Sequence, residues 1–280
     1  MLTVPSAPRY RMTSAPLVQA VAQVNFPIVA RLKSVEGIAP LQDALLDLFP
    51  YMNQQVVQEV SLMIGPAGPA IPESAQSTVH VFTDDSGWHL SVTVSSASLW
   101  IGPEYAGVDD FALRFERVCT ALREAGGVRR CDRLGVRYVD LVEIGEAGDD
   151  WAQWFRPEIV GLAHPDLSRS TLTTSLTETR LHQDPGGPLS NLDNQAEGVI
   201  RHGVVPPGTI LKGVPPQPVD HQAFLFDMDT FVAIAQPFDD QKLIAQYRAL
   251  HAEIEKVFHW AVTDEGRVHF GYELVDDTEG

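Results

Sequence analysis

Five side chains have types and spacing that could do chemistry. Arg137, Tyr138 and Asp140 sit together in the string Gly135-Val136-Arg137-Tyr138-Val139-Asp140. A guanidinium beside acids can form a buried ion pair with Asp140 or Glu143, or bind an anionic group. An acid on a neighbouring strand or helix would serve Arg137 equally well. Asp227 and Asp229 follow an apolar run, Phe224-Leu225-Phe226. These two aspartates are the second group of candidates. They also fit a plain strand, with Phe224, Phe226, Met228 and Thr230 on one face and Leu225, Asp227, Asp229 and Phe231 on the other. Convergence of Arg137, Asp140, Asp227 and Asp229 in one concave pocket would mark a ligand site or a hydrolase.

Other constellations carry less. His251, Glu255 and His259 are spaced i, i+4, i+8 along a helical pattern, which two histidines and a carboxylate could turn to zinc. His251, however, falls among Tyr247, Leu250, Ile254 and Phe258, where a packed neutral histidine is expected. Cys119 and Cys131 match no zinc signature. The glycines of Gly65-Pro66-Ala67-Gly68-Pro69 lack the lysine and helix of a phosphate loop, and no serine has a G-x-S-x-G setting. The expectation is no metal, no cofactor and no assigned catalytic residue, although a triad assembled in space leaves no sequence trace.

The elements that would position these residues are legible in the periodicity. Asp239–Thr263 reads as a long amphipathic helix with apolar residues Leu243, Ile244, Tyr247, Leu250, Ile254, Val257, Phe258, Ala261 and Val262. Shorter helices are expected over Ile38–Phe49, Val108–Ala125 and Trp151–Ile159. Strands are expected over Leu17–Val29, Gln55–Ile64, Thr78–Thr83, Trp88–Val94, Leu99–Ile101 and Leu134–Ile144. Further strands are expected over Ser170–Gln183, Ala196–Val205, Ala223–Ile234 and Arg267–Leu274. Gly65–Ser77, Asp184–Pro188 and Pro206–Pro218 read as loops. The fold class is α+β, with antiparallel sheets and segregated helices. Residues 1–15 read as a flexible arm. Residues 16–148 and 149–280 read as two similar sheet-and-helix halves packed together, the second closed by the long helix.

The order of motifs also carries a resemblance. Pro16–Val29, Leu41–Pro50, the stretch from Val81 to Phe115, Arg133–Ile144 and Phe224–Phe231 together resemble a sporadically distributed bacterial family of unknown function. Its most distinctive string is a Gly-Leu-Arg-Tyr-Val-Asn-like strand, matched here by Leu134-Gly135-Val136-Arg137-Tyr138-Val139-Asp140, with Asp140 where an asparagine is commoner. The resemblance implies no reaction, substrate or cofactor. The sheet-and-helix pattern is also similar to SecB-like chaperone folds, as fold analogy. Phe224–Thr230 is similar to the aspartate loop of haloacid-dehalogenase-like phosphatases. Phe231 stands where that loop needs threonine or valine, and no lysine or acidic-pair motif follows.

Composition bounds the function classes. The 280 residues carry 37 acidic against 20 basic side chains, a formal charge of −17. Duplex binding wants a basic stripe, and only Arg129, Arg130 and Arg133 cluster, so no nucleic-acid role is expected. No run is long and apolar enough for a membrane span, and MLTVPSAPRYRMTSAPL lacks a signal-peptide core. With two cysteines, a cytoplasmic protein is expected. The leading expectation is a non-enzymatic protein that binds another protein, the acidic charge favouring a basic partner. The alternative is a small-molecule binder or hydrolase with an acidic and arginine-bearing cleft between the halves. Oligomeric state is left open.

Overall fold

The structure, a computed structural model, describes residues 10–60, 64–65, 68–69, 74–143, 150–164, 172–182, 196–210, 219–233 and 235–275. Nine strands build the main sheet. They are β1 Leu17–Asn25, β2 Tyr51–Val60, β3 Ser74–Thr83, β4 Trp88–Val92, β5 Ser96–Ile101, β6 Arg133–Glu143, β7 Ser175–His182, β8 Ala196–Val205 and β9 Ala223–Val232. Their spatial order is β7-β8-β9-β6-β1-β5-β4-β3-β2, and all neighbours run antiparallel. The fold is α+β. Strands of residues 16–148 and of 149–280 meet in this single sheet, through the pairing of β6 with β9.

One face of the sheet carries the helices. These include α1 Val35–Leu45, α2 Val108–Ala121, α3 Trp151–Trp154, α4 Pro157–Val160, α5 Asp240–Ala261 and α6 Asp264–His269. Helix α5 packs on β6, β9 and α2, and α1 packs on α2. Alternation makes this face apolar: Ala20, Ala22 and Val24 of β1, Val136 and Tyr138 of β6, and Phe224, Phe226 and Met228 of β9 are buried in one core. The opposite face holds a smaller apolar cluster of Val139, Val205, Val219, Ala223 and Leu225.

Local sequence explains the helix limits. Asp239 caps α5 by accepting from the Lys242 amide at 2.9 Å, leaving Leu243, Tyr247, Leu250, Ile254, Val257, Phe258 and Ala261 buried on one side. Helix α2 runs into a π-turn at Leu122–Gly126, and Gly127 closes it at φ 78°, a left-handed position that suits glycine. Helix α1 begins earlier than the pattern suggests. Ser34 accepts from the Gly37 amide at 3.1 Å, so Pro40 falls inside the helix rather than in its first turn.

The stretch Arg267–Leu274 corrects the strand expectation. Thr263 caps a helix by accepting from the Gly266 amide, and Asp264 and Glu265 occupy its first turn. Helix α6 therefore runs to His269, and only Tyr272–Leu274 is extended. Those residues pair with Tyr10–Met12. Of the arm expected over 1–15, residues 1–9 lie outside the described residues, and Tyr10–Met12 is a strand. The seam expected at Gly145–Asp150 and the loop at Asp184–Pro188 also fall on, or almost wholly on, undescribed residues. No helix among the described residues is long and apolar enough to cross a membrane.

Candidate ligand-binding cleft

The sheet divides the five candidate residues. Arg137, Asp227 and Asp229 lie on the face away from the helices. Tyr138 and Asp140 lie on the helix side. The pairing register produces the split. Residues Tyr138 and Met228 are directly opposite, as are Val139 and Asp227, so odd and even positions of β6 and β9 go to opposite faces.

On the open face the acids and arginines form a row. Arg137 donates from Nε to Asp227 Oδ1 at 2.7 Å and from Nη2 to Oδ2 at 3.0 Å. Arg201 of β8 donates to Asp227 Oδ2 at 3.1 Å and to Glu178 of β7 at 2.8 Å. Asp227 is thus clamped by two guanidiniums while its side chain is 2% exposed. Asp229 lies 3.4 Å from Arg133, whose guanidinium stacks over Phe231. Burial pushes the Asp229 carboxyl up, and Arg133 and Arg137 oppose that rise. The partner of Arg137 is an acid on a neighbouring strand rather than Asp140. The row is a cross-strand ladder of paired charges, and Arg133, Arg137 and Asp229 also line a shallow cavity of about 410 Å³ on this face. The string Phe224–Thr230 lies wholly within β9.

On the helix side, β6, α2, α5 and the Tyr10–Leu17 stretch enclose a cleft of about 350 Å³. Asp140 and Tyr138 contribute from the sheet, Tyr105 and Gly107 from the turn before α2, and His251, Ile254, Glu255 and Phe258 from α5. The register of β6 against β1 slips between Val139 and Asp140, which sets Asp140 opposite Leu17. Its other cross-strand neighbour is Phe226. Flanked by apolar side chains and 3% exposed, the Asp140 carboxyl has no side-chain hydrogen bond among the described residues. Burial, with the nearby charge of Asp227 added, holds its pKa well above the usual carboxylate range.

The hydroxyls are linked. Tyr105 and Tyr138 share a 2.7 Å hydrogen bond, and the Tyr138 and Tyr247 hydroxyls lie 3.5 Å apart. Tyr138 also meets the edge of the His251 ring, with centroids 5.2 Å apart. Burial, aided by the charge of Arg248, pushes His251 down to about 4. At neutral pH its 3.6 Å contact with Glu255 is therefore not an ion pair. Burial also raises Tyr10, Tyr105 and Tyr138. Around neutral pH these groups donate and accept hydrogen bonds without carrying charge.

The remaining constellations resolve simply. His259 packs toward Tyr10 and Tyr272, away from the His251 contact with Tyr138. No three histidine, cysteine or acidic side chains among the described residues group as metal ligands. Arg129 bonds the Arg123 carbonyl, Arg130 bonds Asp132, and Arg133 reaches Asp229. Sequence reasoning found Tyr138 and Asp140 but not Tyr10, Tyr105 or Glu255 as companions. Tyr105 follows a Gly102-Pro103 break just ahead of a helix, a usable signal. Tyr10 lies in the stretch read as an arm and gave none.

No protein-family model matches the chain, and no curated protein matches it.

Proposed function

We propose that the chain is a cytoplasmic binder of a small organic molecule, held in the cleft between the sheet and helices α2 and α5. The supporting observation is the cleft itself. It has apolar walls from Leu17, Met228, Ile254 and Phe258, and a few convergent polar groups, Tyr105, Tyr138, Asp140 and His251. Its size falls at the small end of ligand pockets, which run from about 300 to 1,000 Å³. Shifted side chains gathered in one concavity are the usual mark of a functional site. This keeps the small-molecule alternative and changes its residues: the cleft uses Tyr138 and Asp140, while Arg137, Asp227 and Asp229 are occupied elsewhere. The expectation of a basic protein partner rests on net charge alone, whereas the cleft is a built feature. Two buried free cysteines, Cys119 and Cys131, suit a reducing compartment.

Ligand-observed NMR with a fragment library tests the reading, using the full chain and an Ala106→Trp variant. Ala106 is an exposed lining residue, so the indole would plug the mouth. Fragment signals should appear with the parent chain and vanish with the variant. An empty screen, or the same fragments bound equally by both proteins, would refute the cleft as a binding site.

A further inference from the structure

Resting on that reading, we infer that the cleft takes a small organic amine, bound as its ammonium ion against Asp140 and beside Tyr10, Tyr105 and Tyr138.

The first argument is the Asp140 carboxyl. Buried polar groups are nearly always hydrogen-bonded, and a carboxyl in an apolar setting is costly without a partner. Asp140 sits between Leu17 and Phe226, 3% exposed and lining the cleft. No described side chain hydrogen-bonds it, and its place on the cleft wall lets a donor that enters the cleft reach it. A charged donor makes the strongest such bond.

The second argument is the charge of the lining. Asp109, Asp110, Asp140 and Glu255 line the cleft, against Arg11 as the lining guanidinium. Arg11 is engaged by Glu273 at 2.6 Å. Arg248, on α5, holds Asp109 at 2.6 Å. His251 is neutral at pH 7 for the reason given above. An anionic ligand would meet repulsion here. The N-terminal end of α2 could attract an anion, but Asp109 and Asp110 already occupy its first turn. A cation is drawn in.

The third argument is the aromatic lining. Tyr10, Tyr105 and Tyr138 all border the cleft, and tyrosine rings attract ammonium groups. Leu17, Met228, Ile254 and Phe258 remain for the apolar body of the ligand. An amine with a short hydrocarbon portion matches this distribution.

Binding would break no carbon bond. Burial in the free protein favours the protonated form of Asp140. A primary amine arrives as R–NH3+. When it docks, the ammonium favours the carboxylate, any proton that Asp140 holds passes to the buffer, and carboxylate and ammonium remain paired in the cleft. Amine binding should therefore strengthen as pH rises through the range in which Asp140 ionises, which a merely structural aspartate would not do.

The test is isothermal titration of the full chain with 2-phenylethylamine and with its neutral counterpart 2-phenylethanol. Each titration is run in phosphate and in Tris, whose ionisation heats differ. The amine should bind at least about tenfold more tightly than the alcohol, and the buffer dependence of its heat reports any proton released. Asp140→Asn should abolish the preference for the amine over the alcohol. If the alcohol binds as tightly as the amine, and Ala106→Trp blocks both, the amine assignment fails and the cleft remains a binding site. If the amine binds Asp140→Asn as tightly as it binds the parent chain, Asp140 is not its counter-ion and the inference fails. If neither probe binds, the inference fails, and an empty fragment screen then removes the cleft reading as well.

Discussion

Replacing Asp140 by asparagine should stabilise the ligand-free protein, and by a margin that widens as pH rises. In the unfolded chain this carboxyl ionises near its ordinary value, about 3.9. In the fold, burial between Leu17 and Phe226 and the charge of Asp227 hold its pKa well above that value. Between the two values the folded protein keeps a proton that the unfolded chain has lost. Wild-type stability therefore falls with rising pH, by about 1.4 kcal/mol per unit. The loss is absent below the unfolded value and levels off above the folded one. Asparagine has the same shape and no proton to lose, so the variant lacks this slope. For each pH unit between the unfolded and the folded value, the gap between the proteins should grow by about 1.4 kcal/mol. Equilibrium urea unfolding at three pH values in that window measures it, because other titrating groups are common to both proteins. A gap that stays constant from about pH 4 upward would mean the carboxyl ionises in the fold as readily as in the unfolded chain. A gap that narrows as pH rises towards about 3.9 would mean a cation lies nearby. Either result would refute the account of Asp140 as a carboxyl whose pKa burial raises.

Phe258 is 4% exposed and lies between Phe226 and Phe270, with ring centroids at 6.0 and 6.4 Å. Phe258→Ala should cost about 3 kcal/mol in urea titration, and under about 1 kcal/mol would mean its face of α5 is not core. Asp227→Ala strands the guanidiniums of Arg137 and Arg201, which keep 22% and 28% side-chain exposure. Discounted for that access to water, the cost should be about 2–3 kcal/mol, and no measurable loss would show that the ladder contributes nothing. Random duplex DNA should not shift in a gel at ~150 mM salt, since Arg129, Arg130 and Arg133 each have a partner. A sub-micromolar shift lost in the triple-alanine variant would overturn that expectation.

What could be read from the sequence follows how local the determinants are. Helix α5 and strand β8 were plain because period 3.6 in Leu243–Ala261 and the valine and isoleucine content of Ala196–Val205 are properties of neighbours. The segment Thr263–His269 misled for the converse reason: its apolar content is slight, and its hydroxyl cap outweighs the glycine at 266. Strand β2 begins at Tyr51, earlier than Gln55, because pairing to β3 extends it. Tyr138 and Asp140 were recognised as chemically able. That they face away from Arg137 follows from strand alternation. That the partner of Arg137 is Asp227 depends on β6 lying beside β9, and nothing local announces this pairing. The cleft itself is a product of such long-range neighbours, so its outline was not accessible from spacing alone.

The pairing of Tyr10–Met12 with Tyr272–Leu274 has a kinetic consequence. Tyr10, Arg11 and Met12 form one wall of the cleft, yet their strand partners are the extended residues that follow α6. During synthesis the wall can close only after Tyr272 has emerged. By then the sheet and α5 already exist to receive it. With those elements in place only short links remain to be closed, and the contacts that hold them are few: three residue pairs, the Arg11–Glu273 ion pair and the Tyr10–Tyr272 stack. This clasp should be the last unit to form and the first to open, at a free energy well below that of global unfolding. Amide exchange at Arg11 and Glu273 would then report on access to the cleft. An occupant touching both the wall and Asp140 would slow that exchange without changing the exchange of the inner strands.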